Sequence, residues 1–183
     1  MAITIPQAVD FDGNPPFTLD ADVVLNRFAV TYGGATVTND GDMSLVFDVG
    51  ASGNSQVTFS GNTLTSTTST GRGTRLTQYL YDTQSDDATG DYSSTQQGTL
   101  ASTGIDSAVS FATTSPFTGN DFVGDGNPTA GRLHITTDAD TSQAWLTAQS
   151  DGVHVEITVD SGGNGIVDGD GTLTTTWAEL QGL

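Results

Sequence analysis

The chain reads as an all-β protein, an antiparallel β-sandwich of jelly-roll or immunoglobulin-like kind built from about ten short strands. Three observations predict this. Apolar residues recur two apart in short runs, the period of a half-buried strand. Clusters of Gly, Asn and Asp separate the runs at intervals of roughly 8 to 16 residues. Hydrophobic residues make up only 34% of the chain, and Thr, Ser and Gly, not blocks of charge, fill the difference; Thr suits strands and Gly suits turns.

Residues 1–17 form an extended arm ahead of a single domain over 18–183. Ile3 and Ile5 alternate, Pro6 forbids a helix, and Pro15-Pro16 stiffens the tether. The ~12 residues after Ile5 could span roughly 40 Å when extended. Burying both Ile side chains in a neighbouring subunit would contribute about 3–6 kcal/mol. The arm is therefore expected to pair into a second copy.

Residues 22–32 (DVVLNRFAVTY) read as a strand with Val24, Phe28, Val30 and Tyr32 nearly in phase, and Gly33-Gly34 turns it. Met43, Leu45, Phe47 and Val49 alternate in the next strand. Val57 and Phe59 form another, and Leu64 opens its successor. Residues 65–74 read as a polar loop or exposed strand, and 75–81 as a strand with Tyr79 and Tyr81 on one face. Residues 82–98 (DTQSDDATGDYSSTQQG) read as a long acidic loop, and 114–131 as a second long loop. Between them Ile105, Ser107, Val109 and Phe111 alternate. Leu133 and Ile135 open one strand; Ala144, Leu146 and Ala148 mark another.

The strongest pattern closes the chain. Val153, Val155, Ile157 and Val159 alternate with His154, Glu156 and Thr158; a Gly-rich loop follows; then Leu173, Thr175 and Trp177 share a face. Those faces predict a hairpin joined to the core, with Trp177 packed in it. Only residues 176–180 could hold a helical turn.

Charge excludes several partners. The chain has 20 Asp, 2 Glu, 4 Arg and no Lys, for a net charge of -18. Such a surface repels nucleic acid and anionic membrane and attracts divalent cations. No run of apolar residues is long enough to span a bilayer. The first residues, MAITIPQAVD, lack the basic and apolar regions of a signal peptide, so export is expected by another route.

Catalysis finds little support in the residues. There is no Cys and no Lys, which excludes thiol, Schiff-base and Lys-isopeptide chemistry. No nucleophile elbow occurs, and the scarcity of Glu leaves a paired-carboxylate site only Asp to use. His134 and His154, expected on neighbouring strands, could ligate zinc or relay protons with Glu156. Asp160, Asn164, Asp168 and Asp170 place hard oxygen donors on a flexible Gly-rich backbone, the chemistry calcium requires. Their spacing departs from the calcium-loop pattern at the second and last ligand positions. Asp121 with Asp125 and Asp138 with Asp140 are further donor pairs. Trp145 and the Tyr rings would suit sugar stacking if they lie flat on a sheet face.

The closing residues, Val155 to Asp160 and Thr172 to Leu180 around SGGNGIVDGDG, resemble the final hairpin of uncharacterised bacterial secreted and cell-surface β-domains. That resemblance implies a bacterial exterior and no particular activity. Together these observations predict a non-catalytic, extracellular structural subunit of a surface filament, matrix or layer, self-assembling through Ile3 and Ile5, with calcium in its acidic loop. The alternatives are a module binding sugar or a surface glycan, and a phage or virus structural protein.

Overall fold

The computed structural model describes residues 2–4 and 15–182. Its eleven strands are β1 (Ala2–Thr4), β2 (Phe17–Tyr32), β3 (Ala35–Val49), β4 (Asn54–Thr68), β5 (Gly73–Asp86), β6 (Asp91–Ser102), β7 (Val109–Asn120), β8 (Ala130–Thr137), β9 (Gln143–Ala148), β10 (His154–Asp160) and β11 (Thr172–Thr176), followed by α1 (Trp177–Gln181). They lie in one sheet in strict sequence order, each antiparallel to the strand before it. The sheet does not close into a barrel, and β1 and β11 are its edges. The all-β class read from the sequence is therefore what the protein has.

Tight turns produce this order. Gly33 and Gly34 both have positive φ, 58° and 83°, the backbone that a two-residue hairpin matched to strand twist requires. At the other end, α1 starts at a capping box: Thr176 Oγ1 accepts from the Glu179 N–H at 3.2 Å, and Glu179 Oε2 accepts from the Thr176 N–H at 3.0 Å.

Of the two segments read as long loops, 82–98 is mostly strand and 114–131 half strand, and 65–74, read as a polar loop or exposed strand, is mostly strand. Only 69–72, 87–90 and 121–129 turn. Their Thr, Ser and Gln residues lie in strands with little cover, so apolar alternation had nothing to mark. Hydrogen bonds between strands hold 82–98 instead: Ser55 Oγ to Ser85 Oγ at 2.8 Å, and Gln56 Nε2 and Thr58 Oγ1 donating to Asp82 Oδ1 at 2.7 and 2.8 Å.

Directly paired residues share a face, so the register assigns the two sides. Leu19, Phe47 and Val57 form one row; Ala21, Leu45, Phe59 and Tyr81 the next; Leu25, Gly41, Leu64, Leu76 and Leu100 a third. The same side continues through Phe111, Ile135, Ala144 and Val159, and through Leu133, Leu146, Ile157 and Leu173. Asp20, Asp22, Asp48 and Asp82 alternate onto the opposite side.

Bulges keep these rows in phase. Asn26 and Arg27 of β2 oppose the single Asp40 of β3, with Arg27 at φ 46°. Its N–H donates to Asp40 Oδ1 at 2.6 Å. The extra residue holds Phe28 and Val30 on the side of Leu25 and leaves Val24 on the other, which corrects the reading of Val24 as their companion. Gln78, at φ 49°, does the same for Leu76 and Tyr79 in β5. In β4 three residues, Gly61 to Thr63, oppose two in β3. The Asp42 carboxylate caps that bulge, accepting from the Asn62 N–H at 3.0 Å and the Thr63 N–H at 3.3 Å, and Tyr79 donates its hydroxyl to the Asp42 carbonyl at 2.7 Å.

One place has a layered core. Phe117, Leu133 and Ala148 are buried together, with Phe111, Ile135, Leu146 and Trp177 packed on them. The Phe117 and Trp177 rings meet edge to face at 6.2 Å. Four strand spacings separate β7 from β11, about 19 Å in a flat sheet. The contact therefore requires the sheet to curl and α1 to fold back over the apolar side. Trp177 thus packs, half-buried, against the core that its spacing assigns it to.

Elsewhere cover is thin. Among the described residues the buried hydrophobics are Ala21, Val49, Tyr79, Phe117, Leu133, Ala148 and Val155. Each strand contacts principally its sequence neighbours. The accessible surface is 10,940 Å², against about 8,300 Å² for a compact monomer of this mass.

Candidate functional site

Three places gather the residues singled out above: the β1–β2 edge, the loop between β10 and β11, and the polar side of β8–β10.

At the first edge, β1 pairs Ala2 with Val24, Ile3 with Val23 and Thr4 with Asp22. Ile5 lies outside the described residues. β1 thus takes up three positions of the sixteen-residue β2. The rest of the β2 edge, Phe17–Ala21 and Leu25–Tyr32, has no strand partner on that side among the described residues. Val24, Phe28 and Val30 are all exposed. A long apolar edge of this kind is a template for another strand. At the far edge, Leu173 of β11 is 58% exposed.

The loop between β10 and β11 is organised by Asp160. Its side chain is fully buried. Oδ2 accepts from the Gly165 N–H at 2.7 Å and Oδ1 from the Asn164 N–H at 3.3 Å. Asn164 Oδ1 accepts from the Ile166 N–H at 2.8 Å. Asp168 Oδ2 accepts from the Ser161 N–H at 2.9 Å, which holds that carboxyl below the usual range. Asp170 is exposed in the same loop. Three of the four candidate calcium donors thus serve as turn-closing acceptors. Thr141 Oγ1 and Ser142 Oγ tie the loop to the β8–β9 turn through the Gly162 and Ser161 carbonyls at 3.0 and 2.9 Å. In that turn Asp140 accepts from the Thr137 hydroxyl and the Ser142 N–H, and Asp138 is exposed. Among the described residues, no three His, Cys, Asp or Glu side chains gather as metal ligands.

His134 and His154 lie on β8 and β10 with β9 between them, so they are not on neighbouring strands as expected. His154 Nδ1 is 2.6 Å from Asp151 Oδ2. Asp151 also accepts the His154 and Val153 N–H groups at 2.9 Å each, and these contacts hold its carboxyl far below the usual range. His134 stacks on Trp145 with centroids 5.2 Å apart and planes 8° from parallel, and shares a 2.8 Å hydrogen bond with Gln143 Oε1. The Arg132 guanidinium lies 5.2 Å from the Trp145 ring centroid. Glu156 lies on the same side, one strand over. Sequence reasoning did not join Arg132, His134 and Trp145. The signal was available: all three occupy the polar phase of runs whose apolar phase is Leu133, Ile135, Ala144 and Leu146. The indole is already stacked by the chain's own groups.

Tyr92 marks a fourth spot. Its hydroxyl donates to the Gly126 carbonyl at 2.9 Å. Burial, the charge of Asp121 and the neighbouring Tyr81 push its pKa up to about 12. Raised above its unfolded value of about 10, Tyr92 favours the native state most below that pH and loses the contribution as pH rises toward its folded value. Spectrophotometric titration is expected to show Tyr92 ionising near 12, in step with loosening of the 121–129 loop, beside Tyr79, which burial also pushes above the ordinary phenol. A Tyr92→Phe chain that loses no late-ionising phenol relative to the parent would refute the assignment.

No helix among the described residues is long and apolar enough to cross a membrane. Comparison with family models, with curated proteins and with solved structures finds no match to this chain.

Proposed function

We propose that the protein is a non-catalytic structural subunit that assembles with copies of itself into a bacterial extracellular filament, matrix or layer. The observation that carries this reading is the β2 edge, where three residues of β1 take up a sixteen-residue strand rich in exposed apolar side chains. β-Augmentation uses such an edge: main-chain hydrogen bonds give affinity, and alternating side chains give register. The pairing that Ala2–Thr4 makes with its own β2 can be made equally by the same segment of a neighbour, so exchange of the arm links subunits without any new kind of contact. A sandwich, the layering this composition suits, requires a second sheet over the apolar side, and assembly can supply one.

Deleting residues 1–12 is expected to leave a folded β-domain that no longer builds large assemblies, because β2–β11 form the rest of the sheet and its core. Sedimentation and circular dichroism of the truncated chain decide the matter. Large assemblies from the truncated chain would exclude the arm as the link, and loss of the β spectrum would make β1 a strand the fold itself needs.

A further inference from the structure

We propose that two copies stack the apolar sides of β2–β6 on one another and so complete a two-layer sandwich in trans. This deepens the self-assembly reading by assigning a second surface to it, separate from the arm.

Charge points to this face. From the pairing register, no strand residue on the apolar side of β2–β6 is Asp, Glu, Arg or Lys; the one carboxylate that reaches this side among the described hydrogen bonds is Asp87, in the β5–β6 turn at its margin, which accepts from Ser55 Oγ at 3.1 Å. The other side of the same strands carries Asp20, Asp22, Asp48 and Asp82. In a chain of net charge -18, this is a segregated surface. Its rows are built from large apolar side chains, Leu45, Phe47, Phe59, Leu64 and Leu76 among them. Phe28, Val30 and Tyr81 on this side are 37%, 48% and 42% exposed.

A second copy is the occupant that fits. Stacking this side on the back of another sheet would press apolar residues onto carboxylates and strip their water. Stacking it on the same side of another copy meets no charged strand residue, and a patch that fits itself is what a two-fold dimer needs. The size is sufficient. Five strands about 4.8 Å apart and about ten residues long at ~3.3 Å each cover roughly 800 Å², the area per partner of a standard stable interface. Sheets stacked in this way lie about 10 Å apart with strands near -30°. The seam would remove roughly 800 Å² from the 10,940 Å² surface of each copy, part of its excess over a compact monomer.

The test places a carboxylate on each side of the full-length chain. Tyr81→Glu puts it in the middle of the proposed seam, at a position open to water in the single chain. Gln97→Glu puts it on the polar side, opposite Leu80. On dilution, assemblies of the wild type and of Gln97→Glu are expected to break down to a unit of twice the 18.8 kDa of one chain in sedimentation. Tyr81→Glu is expected to keep the β circular dichroism spectrum while its dimer dissociates about 100-fold more readily, since the seam would bury an unpaired charge. If Tyr81→Glu loses that spectrum, Val30→Glu, at a more exposed position nearer the edge, repeats the measurement. Folded variants that associate as tightly as the wild type overturn the stacking and leave the arm reading standing. A chain lacking residues 1–12 that remains a dimer supports the stacking even where larger assemblies are lost. A wild type that stays a single chain at every concentration overturns both.

Discussion

Phe117→Ala is expected to lower the free energy of unfolding by roughly 3–5 kcal/mol, the cost of truncating a buried aromatic residue and leaving a cavity. Phe117 is 6% exposed and sits where the sheet folds under α1. Its ring is the surface on which Trp177 lands. Elsewhere a lost side chain can be replaced by water from an open face. Here α1 closes the site, so the cavity persists. Gly131 makes the same point from the other side: a Cβ there would lie 2.5 Å from the Phe117 Cα, so the pocket admits no larger neighbour to fill the gap. Chemical denaturation with circular dichroism measures the loss. A change below about 1 kcal/mol would mean that α1 contributes no closed core.

Asp160→Ala is expected to cost roughly 2–4 kcal/mol, since two N–H groups lose a charged acceptor in a buried place. The Asn164 and Gly165 amides should exchange with solvent much faster than in the parent, and Asp160→Asn should recover part of the loss through its remaining carbonyl. Unchanged exchange at both amides would show that the loop is held by its ties to Thr141 and Ser142 instead.

The two variants also show what could be read from residues alone. Alternation placed Val155, Ile157 and Trp177 on one side because, among the described residues, that hairpin lies by the deepest core, while Leu173 keeps the same phase at the exposed edge. The capped turn after Thr176 was visible for a related reason, since its signal is local. Residues 82–98 looked like a loop because Ser93, Thr95 and Gln97 on one phase and Ser94 and Gln96 on the other are all polar, and a strand without a covering layer exerts no selection for alternation. Val24 was read with Phe28 because a bulge inserts one residue between them, and no periodicity contains that. Asp160 was picked as a metal donor on its chemistry. Its buried position and its two backbone partners depend on how the loop over 161–171 closes, which composition does not specify. Arg132, His134 and Trp145 are joined by the register between β8 and β9, and register is a property of two strands together.

The strict sequential order of β1 to β11 has a consequence for how the chain is made. In an all-β protein the delay in folding usually comes from closing long loops between distant strands. Here every strand from β3 onward finds its partner immediately upstream, across a connection of a few residues in most cases. As synthesis extrudes the chain, each new strand meets an edge that is already in place, and the sheet can grow like a zip from β2 toward β11. At every stage the leading edge is the strand just made, and the next hairpin caps it. Only the last step differs in kind: the deep core is completed when Trp177 of α1, made after β11, packs back onto Phe117 of β7.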